Sequence, residues 1–173
     1  MRLYSSLMGN NMPESVTLDN FDRALLAQVQ VDNQAPARRL AERIGLSESA
    51  VLRRLRRLRR EGIIVADVSV VNPAVLDLPL TIHVLVSLER EGAALLDVFT
   101  RKLRSRPEVR HAWYVTGDAD FVLLLQLASM EAYEAFTREV FHDDANVRAF
   151  RTIIAMREIV GPANSKPQKI ASA

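Results

Sequence analysis

The sequence predicts an α+β chain in two parts: a helix-turn-helix bundle, then a ferredoxin-like βαββαβ sheet domain. Three observations carry that prediction. Residues 17–62 place apolar side chains at helical spacing around a glycine-containing turn. Residues 80–159 read as strand, helix, strand, strand, helix, strand. Within that second part, Phe121, Val122, Leu123, Leu124 and Leu125 are apolar at every position, as a strand buried on both faces requires.

Thr17 and Asp19 suit the cap of a first helix, whose Phe21, Leu25, Leu26 and Val29 fall on one side. Asp32-Asn33-Gln34 then breaks the pattern. Pro36 opens a second helix, ARRLAERIG, with Leu40, Ala41 and Ile44 inward and Gly45 ending it. Leu46 plugs the turn, and Ser47 and Ser49 are natural capping residues for a third helix. There Val51, Leu52, Leu55 and Leu58 gather in one arc at about 100° per residue. Ser49, Arg53, Arg56, Arg57 and Arg60 gather opposite, with Arg54 nearby. Over residues 36–62 nine arginines meet three acids, a local balance of +6. Charge runs are usually a solvated face and nothing more. Here every cation in the run is arginine, whose planar fork suits phosphates and guanine edges. The run also lies on the second helix of a helix-turn-helix frame, so double-stranded DNA is the expected partner. Ser47, Ser49, Arg53 and Arg54 are expected nearest the bases, and Arg56, Arg57 and Arg60 at phosphates.

Residues 63–71 read as an extended hinge strand closed by Asn72-Pro73. Residues 80–88 alternate, with Ile82, Val84, Val86 and Leu88 on one face and Thr81, His83, Leu85 and Ser87 on the other. Residues 93–104 form a helix with Leu95, Leu96, Phe99 and Leu103 inward. Strands over 109–116 and 120–127 flank a Gly117-Asp118-Ala119 turn. Ser129 caps a helix with Tyr133, Phe136 and Val140 inward, and 147–156 is the last strand. Both helices of such a unit lie on one sheet face, so the other face of 121–127 needs a partner. A second copy of the chain is the simplest one. A dimer also sets two recognition helices at the spacing of operator half-sites.

Composition bounds the remaining classes. Hydrophobic content of 49% supports a packed core, and no run is long and uncharged enough to span a bilayer. The start lacks the pattern of a secretory signal. With no cysteine there is no disulfide framework, thiolate metal site or thiol nucleophile, and a cytoplasmic setting is expected. Net charge is +2, but residues 1–72 carry 11 basic and 8 acidic groups while residues 73–158 carry 10 and 13. One part faces a polyanion and the other does not. His83, His111 and His142 are scattered, so no metal site is expected. No Gly-rich phosphate loop or Gly-x-Ser-x-Gly elbow occurs, and neither a cofactor nor catalysis is expected.

The ordered set Leu18-Asp19-x-x-Asp22-Arg23, Leu40-Ala41, Gly45-Leu46-Ser47, Arg54-Leu55-x-x-Leu58 and Gly62-Ile63-Ile64 resembles the N-terminal half of the Lrp/AsnC, or feast/famine, regulators. PEVRHAWYVTGDADFVLLLQL is similar to the same family's second half, and the resemblance runs from about Leu18 to Ile159. It implies a winged-type DNA-binding domain (17–62), a hinge strand and linker (63–79) and a RAM-type ligand-sensing and oligomerisation domain (80–159). Flexible segments are expected at 1–16 and 160–173. On spacing alone, Thr116–Asp120 is an ordinary hairpin turn. The resemblance implies instead an amino-acid effector pocket at the junction between dimers, built by Thr116, Gly117, Asp118 and Asp120. Met130, Thr152, Ile153, Ile154 and Ala155 form its implied wall, and dimers are implied to assemble to an octamer. Two positions depart from the family: Asp77 stands where glycine is usual, and Val160 where a lysine commonly ends the last strand. The alternatives are a haem-pathway decarboxylase of the same architecture and a ligand-independent architectural DNA-binding protein.

Overall fold

The computed structural model describes residues 17–90 and 92–161. The chain divides into two units between Val70 and Val71. The first holds helices α1 (Asn20–Val29), α2 (Ala37–Ile44) and α3 (Glu48–Arg60). Asp19, rather than Thr17, caps α1 in a reciprocal box with Asp22. Pro36 precedes α2, which stops at Gly45 in the left-handed region at φ 77°, where a side chain would be strained. Ser47 caps α3 by accepting from the Ala50 amide. Leu25, Leu40, Ala41, Val51 and Leu55 form the small core, with Ile44 and Leu46 against it.

Two residues assigned inward lie outward. Leu52 is 41% exposed and Phe21 42%. A three-helix bundle covers only a narrow arc of each helix, and both residues sit at its margin. The Phe21 ring instead carries the Arg54 guanidinium 5.5 Å from its centroid. Residues 63–71 also depart from expectation, forming no strand, and Val65, Val68 and Val70 are exposed. An extended segment becomes a strand only by pairing its amides and carbonyls, and among the described residues these find no ladder partner.

The second unit opens with a 3-10 turn, Pro73–Leu76, that ends at Asp77 in the left-handed region (φ 55°). Strand β1 (Leu80–Leu88), helix α4 (Ala93–Arg104), strands β2 (Val109–Tyr114) and β3 (Phe121–Leu127), helix α5 (Met130–Thr137) and strand β4 (Val147–Ile154) follow. The sheet order is β2-β3-β1-β4, and every neighbouring pair is antiparallel. Ser129 caps α5, which continues into a π-helical turn, Arg138–His142, that turns Val140 and Phe141 inward. Strands β2 and β4 stop two residues short of their expected ends.

Helices cover one face of this sheet. Ile82, Val84, Val86 and Leu88 of β1 and Phe121, Leu123, Leu125 and Leu127 of β3 are buried there with Phe99, Leu103, Tyr133 and Phe136. Leu95, expected inward, is 38% exposed, because α4 presents only Phe99 and Leu103 fully to the sheet. Register defines the open face: Trp113, Val122, Leu85 and Arg151 lie in one row, His111, Leu124, His83 and Ile153 in the next. Among the described residues, nothing in this unit covers that face.

Candidate functional site

Helix α3 carries the arginines in two classes. Arg53, Arg56 and Arg60 are exposed, and among the described residues Arg53 and Arg56 carry no ion pair or side-chain hydrogen bond. Arg60 reaches only Glu61, at 3.7 Å and three-quarters exposed. Ser49 is exposed at the N-terminal end, 3.1 Å from the hydroxyl of Ser47, which is engaged in capping.

Arg54 and Arg57 face the other way. The Asp22 carboxylate, fully buried, accepts from Arg54 Nη1 at 2.9 Å and from Arg57 Nη2 at 2.5 Å. Arg54 Nη1 also donates to Asp19 at 2.7 Å. Asp19 is held below the usual carboxylate range, first by the Asp22 backbone N–H and then by the Arg54 guanidinium. The family-like Leu18-Asp19-x-x-Asp22 segment is therefore a clamp that ties the start of α1 to the middle of α3. Arg54, assigned to bases, and Arg57, assigned to phosphates, spend their guanidinium groups on this clamp. Helical spacing placed both beside the free arginines, but a buried carboxylate without a cationic partner is too costly, and it draws them inward. Two carboxylates three apart, facing two arginines three apart, is the signal that marks the clamp. Arg59 is a further inward-committed arginine, making a two-pronged pair with Asp67 of the linker at 2.7 and 3.1 Å.

The expected effector residues separate into two groups. Thr116–Asp120 lies at one end of the sheet. Gly117 adopts φ 130°, open to glycine and rare for other residues. The Asp118 carbonyl accepts from Ser87 Oγ at 3.2 Å. Asp120 closes the turn: its amide donates to Val86 O at 2.9 Å and its carboxylate accepts from the Leu88 amide at 2.7 Å. That amide is released by the β1–β4 register shift at Ser87/Leu88, so Asp120 satisfies a buried donor. Met130 follows the far end of β3, seven residues and about 20 Å away. Thr152 stands mid-sheet in the row of Val84 and Leu123, hydrogen-bonded to the Tyr133 hydroxyl on the helix-covered face, while the Ala155 amide donates to Thr81 O toward the Met130 end. Ile153 points to the opposite face from Thr152 and Ile154. Strand alternation therefore prevents 152–155 from walling one cavity within a single chain. A cavity of about 200 Å³ does adjoin the turn, but Leu85, Ser87, Asp118, Ala149 and Arg151 line it instead.

Comparison with known proteins matches both units. A winged helix-turn-helix DNA-binding model matches residues 18–65, and an Lrp/AsnC ligand binding domain model matches residues 81–163. An HTH-type transcriptional regulator of Sinorhizobium fredii is 44% identical over 145 residues, covering 84% of this chain and 86% of that one. The leucine-responsive regulatory protein of Escherichia coli is 31% identical, with 82% and 87% covered. Among solved structures, a transcriptional regulator of Neisseria meningitidis in complex with L-Met aligns with TM-score 0.79 at 27% identity, covering 86% of this chain and 96% of that one. An AsnC family regulator of Agrobacterium tumefaciens aligns with TM-score 0.77 at 25% identity, covering 83% and 94%.

Proposed function

Since the chain belongs to the Lrp/AsnC family of transcriptional regulators, we propose that α3 enters the DNA major groove through Ser49 and Arg53 while Arg56 meets phosphates, and that the sheet unit senses an amino acid. The observation that carries the DNA half is the sorting of arginines on α3. Arg53 and Arg56 are free while Arg54 and Arg57 are clamped to Asp22. A helix immobilised on one side with unpaired guanidinium groups on the other presents a fixed donor pattern, which sequence readout requires. Ser47 holds the helix start and Arg60 adds a phosphate contact. The unit boundaries follow this division: residues 17–62 bind DNA, 63–79 link, and 80–159 sense and assemble.

A second copy covers the open sheet face. Val122, Leu124, Leu85, Trp113 and Ile153 form an apolar surface, in register with the guanidinium of Arg151 and the imidazoles of His83 and His111. The separated effector groups support assembly beyond the dimer. Thr116–Asp120 and the end of the sheet that carries Met130 and Ala155 meet only if different chains bring opposite sheet ends together, as at a junction between dimers in an octamer. The N. meningitidis relative's L-Met complex supports an amino acid as the effector. A cytoplasmic regulator rather than a tetrapyrrole enzyme fits the retained basic helix. Among the described residues no helix is long and apolar enough to cross a membrane.

Footprinting the protein upstream of its own gene, with and without the twenty amino acids, tests the reading. A discrete footprint whose strength or length changes with an amino acid is expected. A sequence-indifferent coating untouched by amino acids would favour an architectural protein.

A further inference from the structure

Leu52 interrupts the polarity of the outer face of α3. It is 41% exposed. Glu48 and Ser49 one turn before it, Arg53 beside it and Arg56 one turn after it are all exposed and polar. A lone exposed leucine ordinarily carries no message. Leu52 differs by its place. Ser49, Leu52, Arg53 and Arg56 recur at intervals of three and four, so they share one stripe of the helix. On the other side Arg54 and Arg57 bind the buried Asp22 carboxylate and fix the rotation of α3, which holds Leu52 outward within that stripe. The stripe that carries the free Arg53 and Arg56 therefore contains one apolar side chain, held as firmly as the donors around it.

The base edges in a major groove present donors, acceptors and one apolar group, the C5-methyl of thymine. We propose that Leu52 packs on a thymine methyl within one base pair of the guanine held by Arg53, and so selects that position of the operator. The inference rests on the reading of α3 as the helix that enters the groove, and it adds a base pair that the arginines do not choose. Residues 52 and 53 are separated by about 1.5 Å of helix rise, and base pairs stack about 3.4 Å apart, so the two side chains reach the same step of the duplex. The Arg53 fork suits the O6 and N7 acceptors of guanine, which leucine cannot satisfy. Selection at Leu52 has a repulsive side as well. Cytosine in the thymine position would turn its N4 donor toward a side chain that accepts nothing, and a desolvated donor without a partner is costly.

Replacing thymine by uracil removes only the methyl and leaves the protein untouched. Each thymine of a footprinted operator is replaced in turn, at the symmetric position of both half-sites, and the full chain is titrated by gel shift at one salt concentration. One position beside a guanine should weaken the unmodified protein about fourfold per half-site, the effect of leaving one methyl in water. Leu52→Ala should lose at least that factor on the thymine operator, and uracil at the same position should cost the variant nothing more. Thermal melts confirm that the exposed substitution leaves the fold in place. Uracil tolerated at every position by the unmodified protein overturns the inference, and so does a uracil penalty of equal size in Leu52→Ala. A Leu52→Ala variant that weakens operator and random DNA alike also overturns it, because Leu52 would then touch only the sugar-phosphate backbone. In all three cases a discrete footprint leaves the groove-reading role of α3 standing. No discrete footprint on any sequence overturns that role and this inference with it.

Discussion

Asp22 and Leu123 are both fully buried at the centre of their units, and they hold them in opposite ways. Around Asp22 the described residues of the helical unit bury seven apolar side chains, Leu25, Leu26, Leu40, Ala41, Val51, Leu55 and Leu58. Such a core specifies helix positions weakly, and the ion cluster of Asp19, Asp22, Arg54 and Arg57 adds direction where apolar contact adds little. Around Leu123 the described residues of the sheet unit bury fourteen apolar side chains, and the hydrogen-bond ladder already fixes its geometry. Charge is as frequent there as in the helical unit, but among the described residues none of it is buried. In one unit, then, pairing marks scaffold and free charge marks function. In the other, the apolar surface left bare is itself informative.

The largest expected effects break that contrast on the sheet. Leu125 is fully buried under the helices, while its neighbour Leu124 stands on the open face. A buried carboxylate costs several kcal/mol. Leu125→Glu should therefore unfold the sheet unit at any concentration. Leu124→Glu should leave the helix-covered face of the sheet without a buried charge but abolish the dimer, giving chain that aggregates or loses order instead of a stable folded monomer. Sedimentation and the fluorescence of Trp113, the one tryptophan, follow both. A folded micromolar monomer of the unmodified protein would remove the basis for the covered face.

Next in size is the clamp. Asp22→Ala leaves two arginines facing a buried gap, and breaking a buried ion pair costs about 3–5 kcal/mol. The helical unit should melt early while the sheet unit keeps its transition in calorimetry. Acid sharpens the same comparison. Because Asp19 titrates below its ordinary 3.8 when folded, its share of stability is present above that value and lost as pH falls through the lowered one. The Asp67 carboxyl, lowered by the Arg59 guanidinium, acts in the same direction. A single melting transition for both units in Asp22→Ala would contradict the division.

Much of this architecture is legible in the residues. Asp19, Ser47 and Ser129 cap the expected helices because short polar side chains before an apolar period have few other uses. The alternation over Leu80–Leu88 gives the buried face residue for residue. What periodicity cannot give is how far a neighbour reaches. It points Leu52, Leu95 and Phe21 toward a core that stops short of them. Nor can the pattern say that residues 63–71 find no ladder partner among the described residues. The effector residues illustrate a third gap: resemblance supplies a set of positions, but only the register shows that Thr152 and Ile153 lie on opposite faces and that Met130 lies at the end of the sheet away from the turn. Arg151 escaped notice because nothing in its sequence neighbourhood places it across from Leu85.

On DNA the arginines should divide as their contacts do. Arg53→Ala should cost about 1–3 kcal/mol at specific sites and less on random sequence. Arg56→Ala should weaken all sequences alike and lower the salt slope by about one. Arg57→Ala should lower the melting temperature of the helical unit while leaving the salt slope of the remaining folded protein unchanged, since its guanidinium sits on Asp22. Gel-shift titrations at several salt concentrations separate the three. Equal slope changes for Arg56 and Arg57 would mean that the clamp opens on DNA.

The smallest effect tests whether a departure from the family costs the sheet unit anything. Asp77 ends the turn Pro73–Leu76 at φ 55°, ψ 33°, a left-handed conformation that side chains other than glycine adopt at some cost. Its amide is already satisfied by the carbonyls of Ala74 and Pro73, so the turn is well formed around a strained residue. Glycine relieves that strain but gains freedom in the unfolded chain, and the two effects oppose each other. Aspartate tolerates the left-handed region better than most residues, which keeps the difference small. Asp77→Gly should therefore stabilise by about 0.5–1 kcal/mol, the order of a single unfavourable backbone conformation. The change should appear in the melting of the sheet unit alone, leaving the helical unit and DNA affinity as they were. A loss of stability instead would mean that the Asp77 side chain holds a contact in the assembled protein worth more than the strain it causes.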